Sequence, residues 1–205
     1  MSAPSTAPHA VATAGGPEHA GVRRAGAAGV VAAAAWIALG MDSTVRGGEM
    51  HYRDALVMVP WVLTMVTLAG VHLAQRDRLR RWGHVAFGVL GLAMVLGLLG
   101  DLGTVLDIAP LATLGFPLGA LLWLVAMVPA GVATYRAGVL PRRVGVLMAL
   151  LEPLSIATGV ALSPIAGLHD RGNYSGGLEK GLVVLMIALA LRSVAAYRDE
   201  RRPAP

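Results

Sequence analysis

The sequence predicts an all-α, polytopic integral membrane protein: a six-helix transmembrane bundle with both termini on the cytoplasmic side. Three observations predict it. Six apolar runs recur along the 205 residues, each near the roughly 20 residues a helix needs to cross about 30 Å of hydrocarbon. Charged residues make up only 14% of the chain, hydrophobic residues 56%, and mean hydropathy is +0.65; a soluble domain carries about 25% charge. The basic residues also fall in alternate connections, on one side of the bundle.

Residues 1–22, rich in Ala, Pro, Ser, Thr and Gly without an apolar period, predict a disordered cytoplasmic tail. The transmembrane domain is expected over 23–198 and a short cytoplasmic tail over 199–205. Arg23 and Arg24 precede the first span, Ala25 to Met41. Its Ala-rich run resembles the apolar core of a signal peptide, but the stretch before the arginines is long for one, so an uncleaved span is expected. The second span runs from about Ala55 to Ala74, the third from Val85 to Leu106 and the fourth from Leu111 to Tyr135. The fifth runs from Val144 to Ile165 and the sixth from Gly177 to Tyr197. Helices are expected because a lipid-exposed backbone must satisfy its own hydrogen bonds. Barrel strands would be shorter and would alternate apolar with polar residues.

Orientation follows from Lys and Arg. Arg23, Arg24, Arg76, Arg78, Arg80, Arg81, Arg136, Arg142, Arg143, Arg192, Arg198, Arg201 and Arg202 share one side. Arg46, Arg53, Arg171 and Lys180 share the other. The richer side is cytoplasmic by the positive-inside rule. The net charge of +5 is therefore an orientation signal, and no nucleic-acid partner is expected. Trp36, Trp61, Trp82 and Tyr197 lie near span ends as interfacial anchors would, with Trp61 the deepest.

Packing between membrane helices needs small residues where backbones approach. Gly88, Gly91, Gly97 and Gly100 in the third span and Gly115 and Gly119 in the fourth supply them. The last two fit packing within one bundle or, alternatively, a homodimer seam. Pro60, Pro117, Pro129, Pro153 and Pro164 predict kinked helices.

Several chemistries are excluded. With no cysteine, disulfides, thiolate metal sites and cysteine nucleophiles are out. No metal site is expected, since no HxxxH or HxxE spacing is present. His72 and His84 are too few and too shallow for a two-haem bundle, and no motif implies a cofactor. Aromatic residues at 5% predict neither a nucleic-acid stacking platform nor an aromatic-lined pocket of the terpene-cyclase kind.

Glu152 is the most informative residue. It lies in LMALLEPLSIATG, with no other charge between Arg143 and His169. Nine residues past Arg143 place it about 13 Å deep, where an ionisable group is a functional-site hypothesis by default. Arg192, about 8 Å into the sixth span, is its expected ion-pair partner. Asp42, Glu49, His51, Asp54, Asp101, Asp107, His169, Asp170 and Glu179 cluster on the outer side, either as a solvated acidic face or as the mouth of a pathway. Asp101 stands near the membrane boundary, and its spacing from Asp107 turns the two in different directions on one helix. The candidate ligand or proton pathway is therefore Glu152, Arg192, Asp54, Asp101 and Asp107. Glu152 and Asp101 are the candidate catalytic acids, because a desolvated carboxyl stays protonated near neutral pH.

The stretch YRAGVLPRRVGVLMAL, Tyr135 to Leu150, holds a short turn of the form RxxVLPRxxG over residues 136–145. It resembles small six-span membrane proteins of unknown function from high-GC Gram-positive bacteria. The resemblance implies a bacterial cytoplasmic membrane and brings no activity. Pro141 is expected to stop the fourth span, with Arg142 and Arg143 anchoring the fifth. Three functional readings stand side by side. One is a small transporter or ligand-binding protein with an intramembrane carboxylate, for a small lipophilic or cationic ligand. The second is a membrane-embedded enzyme acting on a prenylated, terpenoid or lipid substrate. The third is a noncatalytic partner or immunity-type protein.

Overall fold

A computed structural model describes residues 17–47, 50–162 and 174–200. Glu49, Pro164, His169, Asp170 and Arg171 lie outside the described residues, as do residues 1–16 and 201–205. Among the described residues all regular structure is helical: α1 (Pro17–Arg46), α2 (His51–Leu56), α3 (Met58–Gln75), α4 (Arg81–Val105), α5 (Ala109–Thr113), α6 (Ala120–Ala137), α7 (Arg142–Leu162) and α8 (Gly177–Glu200). A 3₁₀ turn at Arg76–Arg78 follows α3, and a π-helical segment, Leu114–Gly119, joins α5 to α6. Five stretches are long and apolar enough to cross a membrane: Glu18–Arg46, His51–Arg78, Arg81–Val105, Ala120–Ala137 and Gly177–Tyr197. The protein is an α-helical membrane bundle.

The helices sit close to their expected places, with instructive differences. The first begins at Pro17, so residues 17–22 extend α1 rather than belonging to a tail. The second is entered through α2 and breaks at Val57. Pro60 has no N–H to offer the Leu56 carbonyl, while the Val57 and Trp61 N–H groups still reach Arg53 and Val57 at 2.9 and 3.1 Å. The fourth, expected as one run from Leu111 to Tyr135, is three pieces. Pro117 lacks the donor for an ordinary helical bond, and the chain takes a wider π turn there, a form that recurs at functional sites. In the turn at 136–145, α6 is ended by Gly138, in the left-handed conformation at φ +65°, the usual helix-terminating geometry. Pro141 comes later and accepts the Val144 N–H at 2.8 Å, opening α7.

Glycine permits the closest approaches. A Cβ on Gly70 would lie 2.1 Å from Ala25 Cβ, and one on Gly29 would lie 2.7 Å from Ala188 Cβ, so α1 is clamped between α3 and α8. A Cβ on Gly131 would lie 2.5 Å from Gly145 O where α6 crosses α7. Gly115 meets Gly100 at backbone contact, and Gly119 meets Gly97. These two glycines therefore pack within one chain. Gly88 and Gly91 face nothing within 4 Å, contrary to the packing role the sequence suggests for them. Leu90, Met94, Met127, Met148, Ile187 and Leu191 fill the interior, while Val31, Val62, Val85, Leu92, Val125 and Leu182 point outward. An apolar exterior costs nothing against lipid, so packing density and small residues hold such a bundle together.

Candidate functional site

The α4–α6 glycine contact, the break at Val57 and the start of α8 surround a cavity of about 540 Å³. Among its lining residues are Trp36 from α1, Trp61 from α3, Asp101 from α4, Trp123 from α6, Glu152 from α7 and Lys180 from α8. Glycines make room for them. The Trp61 ring lies where a Cβ on Gly97 would sit 2.9 Å from its Cζ2.

Glu152 is the polar centre. Its Oε2 accepts the Trp123 indole N–H at 2.7 Å and lies 3.1 Å from Lys180 Nζ, which also reaches Oε1 at 3.4 Å. Both side chains are largely buried, at 15% and 17% exposure. The Lys180 ammonium also stands 5.6 Å from the centroid of the Trp36 ring, within the range for cation–π attraction. The expected partner, Arg192, is not at Glu152. It is exposed, twelve residues further along α8 and thus about 18 Å away, with its stem against Gly26 of α1. Backbone depth does not give the partner, because the four-carbon stem of a lysine near the start of α8 reaches along the helix to Glu152.

Three of the four tryptophans form one wall. Trp36 and Trp61 meet edge-on with centroids 6.1 Å apart, and Trp61 and Trp123 are tilted at 4.9 Å. Each indole N–H is satisfied: Trp36 donates to Thr64 Oγ1 at 3.0 Å, Trp61 to Met94 O at 2.9 Å and Trp123 to Glu152. Trp36 and Trp61 are therefore internal rather than interfacial anchors. The low aromatic content also misled in a second way, since it did not prevent an aromatic-lined cavity. The missed signal was the position of Trp36, Trp61 and Trp123 inside their spans.

The outer acids separate. Asp101 lines the cavity, with no hydrogen bond or ion pair among the described residues. Asp107 is exposed, in a turn at φ +55°, a conformation that Asp tolerates. Asp54 accepts the Tyr174 hydroxyl at 2.7 Å, and Tyr174 lines the cavity beside it. Burial, then the hydrogen bond to Asp54, push the Tyr174 phenol well above its ordinary value. Asp42 holds Arg53, whose Nε lies 2.9 Å from Oδ2 and whose guanidinium also donates to the Asp42 and Gly47 carbonyls. Arg53 is 1% exposed, so this residue, assigned by sequence to an outer loop, is a buried staple between α1 and α2. Glu179 also belongs inside, with both carboxylate oxygens buried and without a hydrogen-bond partner among the described residues.

A second cavity, of about 490 Å³, lies between α3 and α4. It is apolar apart from His72 and His84, whose Nε2 and Nδ1 are 3.0 Å apart, and it borders Gly88 and Gly91. Among the described residues no three His, Asp or Glu side chains come together as a metal-binding group. The chain finds no match among protein-family models, curated proteins or solved structures.

Proposed function

We propose that this is a small-ligand-binding membrane protein, acting as a transporter, whose binding site is the cavity at Glu152. One observation carries the reading: an open cavity of about 540 Å³ in an apolar bundle, bordered by three tryptophans and holding Asp101 and the Glu152–Lys180 pair. A cleft of this size that brings apolar walls and a few polar groups together is the ordinary form of a small-molecule site. A protein serving only as a packed partner has no need of it. The test is flux of candidate solutes into proteoliposomes containing the full chain, compared with Glu152→Gln. Uptake that depends on the cavity and falls at least tenfold in the variant is expected; equal uptake by the variant and the unaltered protein overturns the assignment.

The membrane-enzyme reading keeps one observation in its favour, that two carboxyl groups, Asp101 and Glu152, line one cavity. Turnover of an added prenylated or lipid substrate, lost in both Asp101→Asn and Glu152→Gln, would favour it over transport.

We further propose that α7 is a sixth crossing, that both termini face the cytoplasm and that the membrane is a bacterial cytoplasmic one. The distribution of Lys and Arg and the resemblance carried by residues 136–145 support this. The chain has no cysteine, so single cysteines placed at Thr113 and Ala137 report sidedness cleanly. Labelling of position 113 from outside and of position 137 only after permeabilisation is expected, and the reverse pattern overturns the orientation.

A further inference from the structure

We infer that the ligand of the Glu152 cavity is an organic cation, a protonated or quaternary amine on an apolar body, and that Asp101 is its counter-charge. The inference rests on the ligand-binding reading above and specifies its chemistry.

Among the described residues the charges in the cavity do not balance. Its lining includes three charged side chains: Asp101, Glu152 and Lys180. Lys180 is committed to Glu152 at 3.1 Å, and Trp123 donates to the same carboxylate. That pair is neutral as it stands. Asp101, with no hydrogen bond or ion pair among the described residues, leaves one negative charge facing the cavity. A carboxyl with no partner in such a site either takes up a proton or is matched by a cation, so the ligand that keeps Asp101 ionised carries one positive charge.

The walls specify the rest of the ligand. Trp61, partly exposed, presents its indole to the cavity with Trp36 and Trp123 packed against it at 3% and 2% exposure, and all three N–H groups are already used. Trp61 therefore offers a π face and apolar area, which attract a cation and its hydrocarbon body and give an anion nothing. The protein provides an internal precedent. The Lys180 ammonium rests on a carboxylate and at 5.6 Å over Trp36, so a carboxylate and an indole together already hold one ammonium within this chain.

The experiment uses the purified full chain in detergent and its intrinsic tryptophan fluorescence, since three of the four tryptophans line the cavity. It is titrated with benzyltrimethylammonium, with its neutral carbon isostere neopentylbenzene, and with benzenesulfonate. The cation is expected to bind at least tenfold more tightly than the other two. Asp101→Asn should bring the cation and the neutral isostere to within about twofold. Lys180→Met, which adds one net negative charge, should tighten the cation several-fold and provides a second reading should Asp101→Asn fail to fold. Tighter binding of the neutral or anionic probe overturns the cation assignment while leaving a ligand-binding cavity. An unchanged preference in Asp101→Asn, or weaker cation binding in Lys180→Met, overturns the roles given to those residues. Failure of all three probes to alter the fluorescence overturns the ligand-binding reading itself.

Discussion

Gly100→Ala tests how the cavity is built. A Cβ on Gly100 would lie 2.1 Å from Gly115 Cα and 2.3 Å from Gly115 N. Two carbons are comfortable at about 3.5–4.0 Å, so α4 and the π-helical segment must part by about 1.5 Å. Both sides are backbone, and no rotamer change can relieve the clash. The cost belongs at the upper end of the range for overpacking, about 3 kcal/mol. Alanine recovers about 0.5–1 kcal/mol of helix preference, leaving a net loss of roughly 2 kcal/mol. At about 2–4 °C per kcal/mol for a chain of this size, the unfolding midpoint in detergent falls by about 4–8 °C. Gly100 and Gly115 also line the cavity, so the displacement should change the Trp61 and Trp123 emission before unfolding begins. Gly88→Ala is the matched control on the same helix. Its Cβ meets nothing within 4 Å, so only the helix-preference gain remains and the midpoint stays level or rises. If Gly88→Ala lowers the midpoint as much as Gly100→Ala, the close approach at Gly115 is not what determines the packing of α4.

Three further outcomes are expected. Arg53→Ala removes the guanidinium from Asp42 and the Gly47 carbonyl, while Asp42 keeps Arg46 at 3.2 Å and the Tyr52 hydroxyl, so the loss should be about 2 kcal/mol, as for hydrogen bonds to a charged group; chemical denaturation that shows under about 1 kcal/mol would make the staple an ordinary surface pair. Glu179→Met replaces a buried carboxylate without a hydrogen-bond partner among the described residues with an apolar chain of similar size and should raise stability by about 1–3 kcal/mol, seen as a higher unfolding midpoint; a lower midpoint would contradict it. Tyr174 gives a pH dependence. Its folded phenol titrates above its unfolded value of about 10, so its contribution is complete below pH 10 and is lost as pH rises beyond it. Between pH 9 and 11.5 the unaltered protein should lose more stability than Tyr174→Phe, and parallel curves for the two would count against the buried Tyr174–Asp54 bond.

Apolar periodicity and length made the helices legible in the sequence, because the bilayer imposes both on every span. The break in the fourth span was less so. Gly115, Pro117 and Gly119 were visible, but a kinked helix and a π turn share those residues, and only the approach of Gly100 distinguishes them. Glu152 was legible because nothing about insertion explains an acid in mid-span. Its partner was not, because backbone depth ignores where a long side chain ends. Arg53 misled for the same reason: its place in a short connection between spans reads as exposed, yet its guanidinium folds back under Asp42. The aromatic wall was hidden by an average. Five percent aromatic content says little once three tryptophans on three different helices converge.

Stability alone does not account for the ionisable groups around the cavity. Each charged residue placed within a span costs about 2.5–3.5 kcal/mol to insert, and an apolar set of the same volume generally packs as well as a buried ion pair or better. The Trp123 bond and the Lys180 ammonium offset the cost for Glu152. Asp101 has no such compensation among the described residues, and the glycines of α4 and the π-helical segment bring backbones together beneath it while leaving the space above it open. A bundle shaped only for packing would have closed that space with a leucine. The uncompensated carboxylate and the open volume have the same explanation if a cation completes both, and that makes Asp101, rather than the better-satisfied Glu152, the residue whose substitution should most change what the cavity prefers to bind.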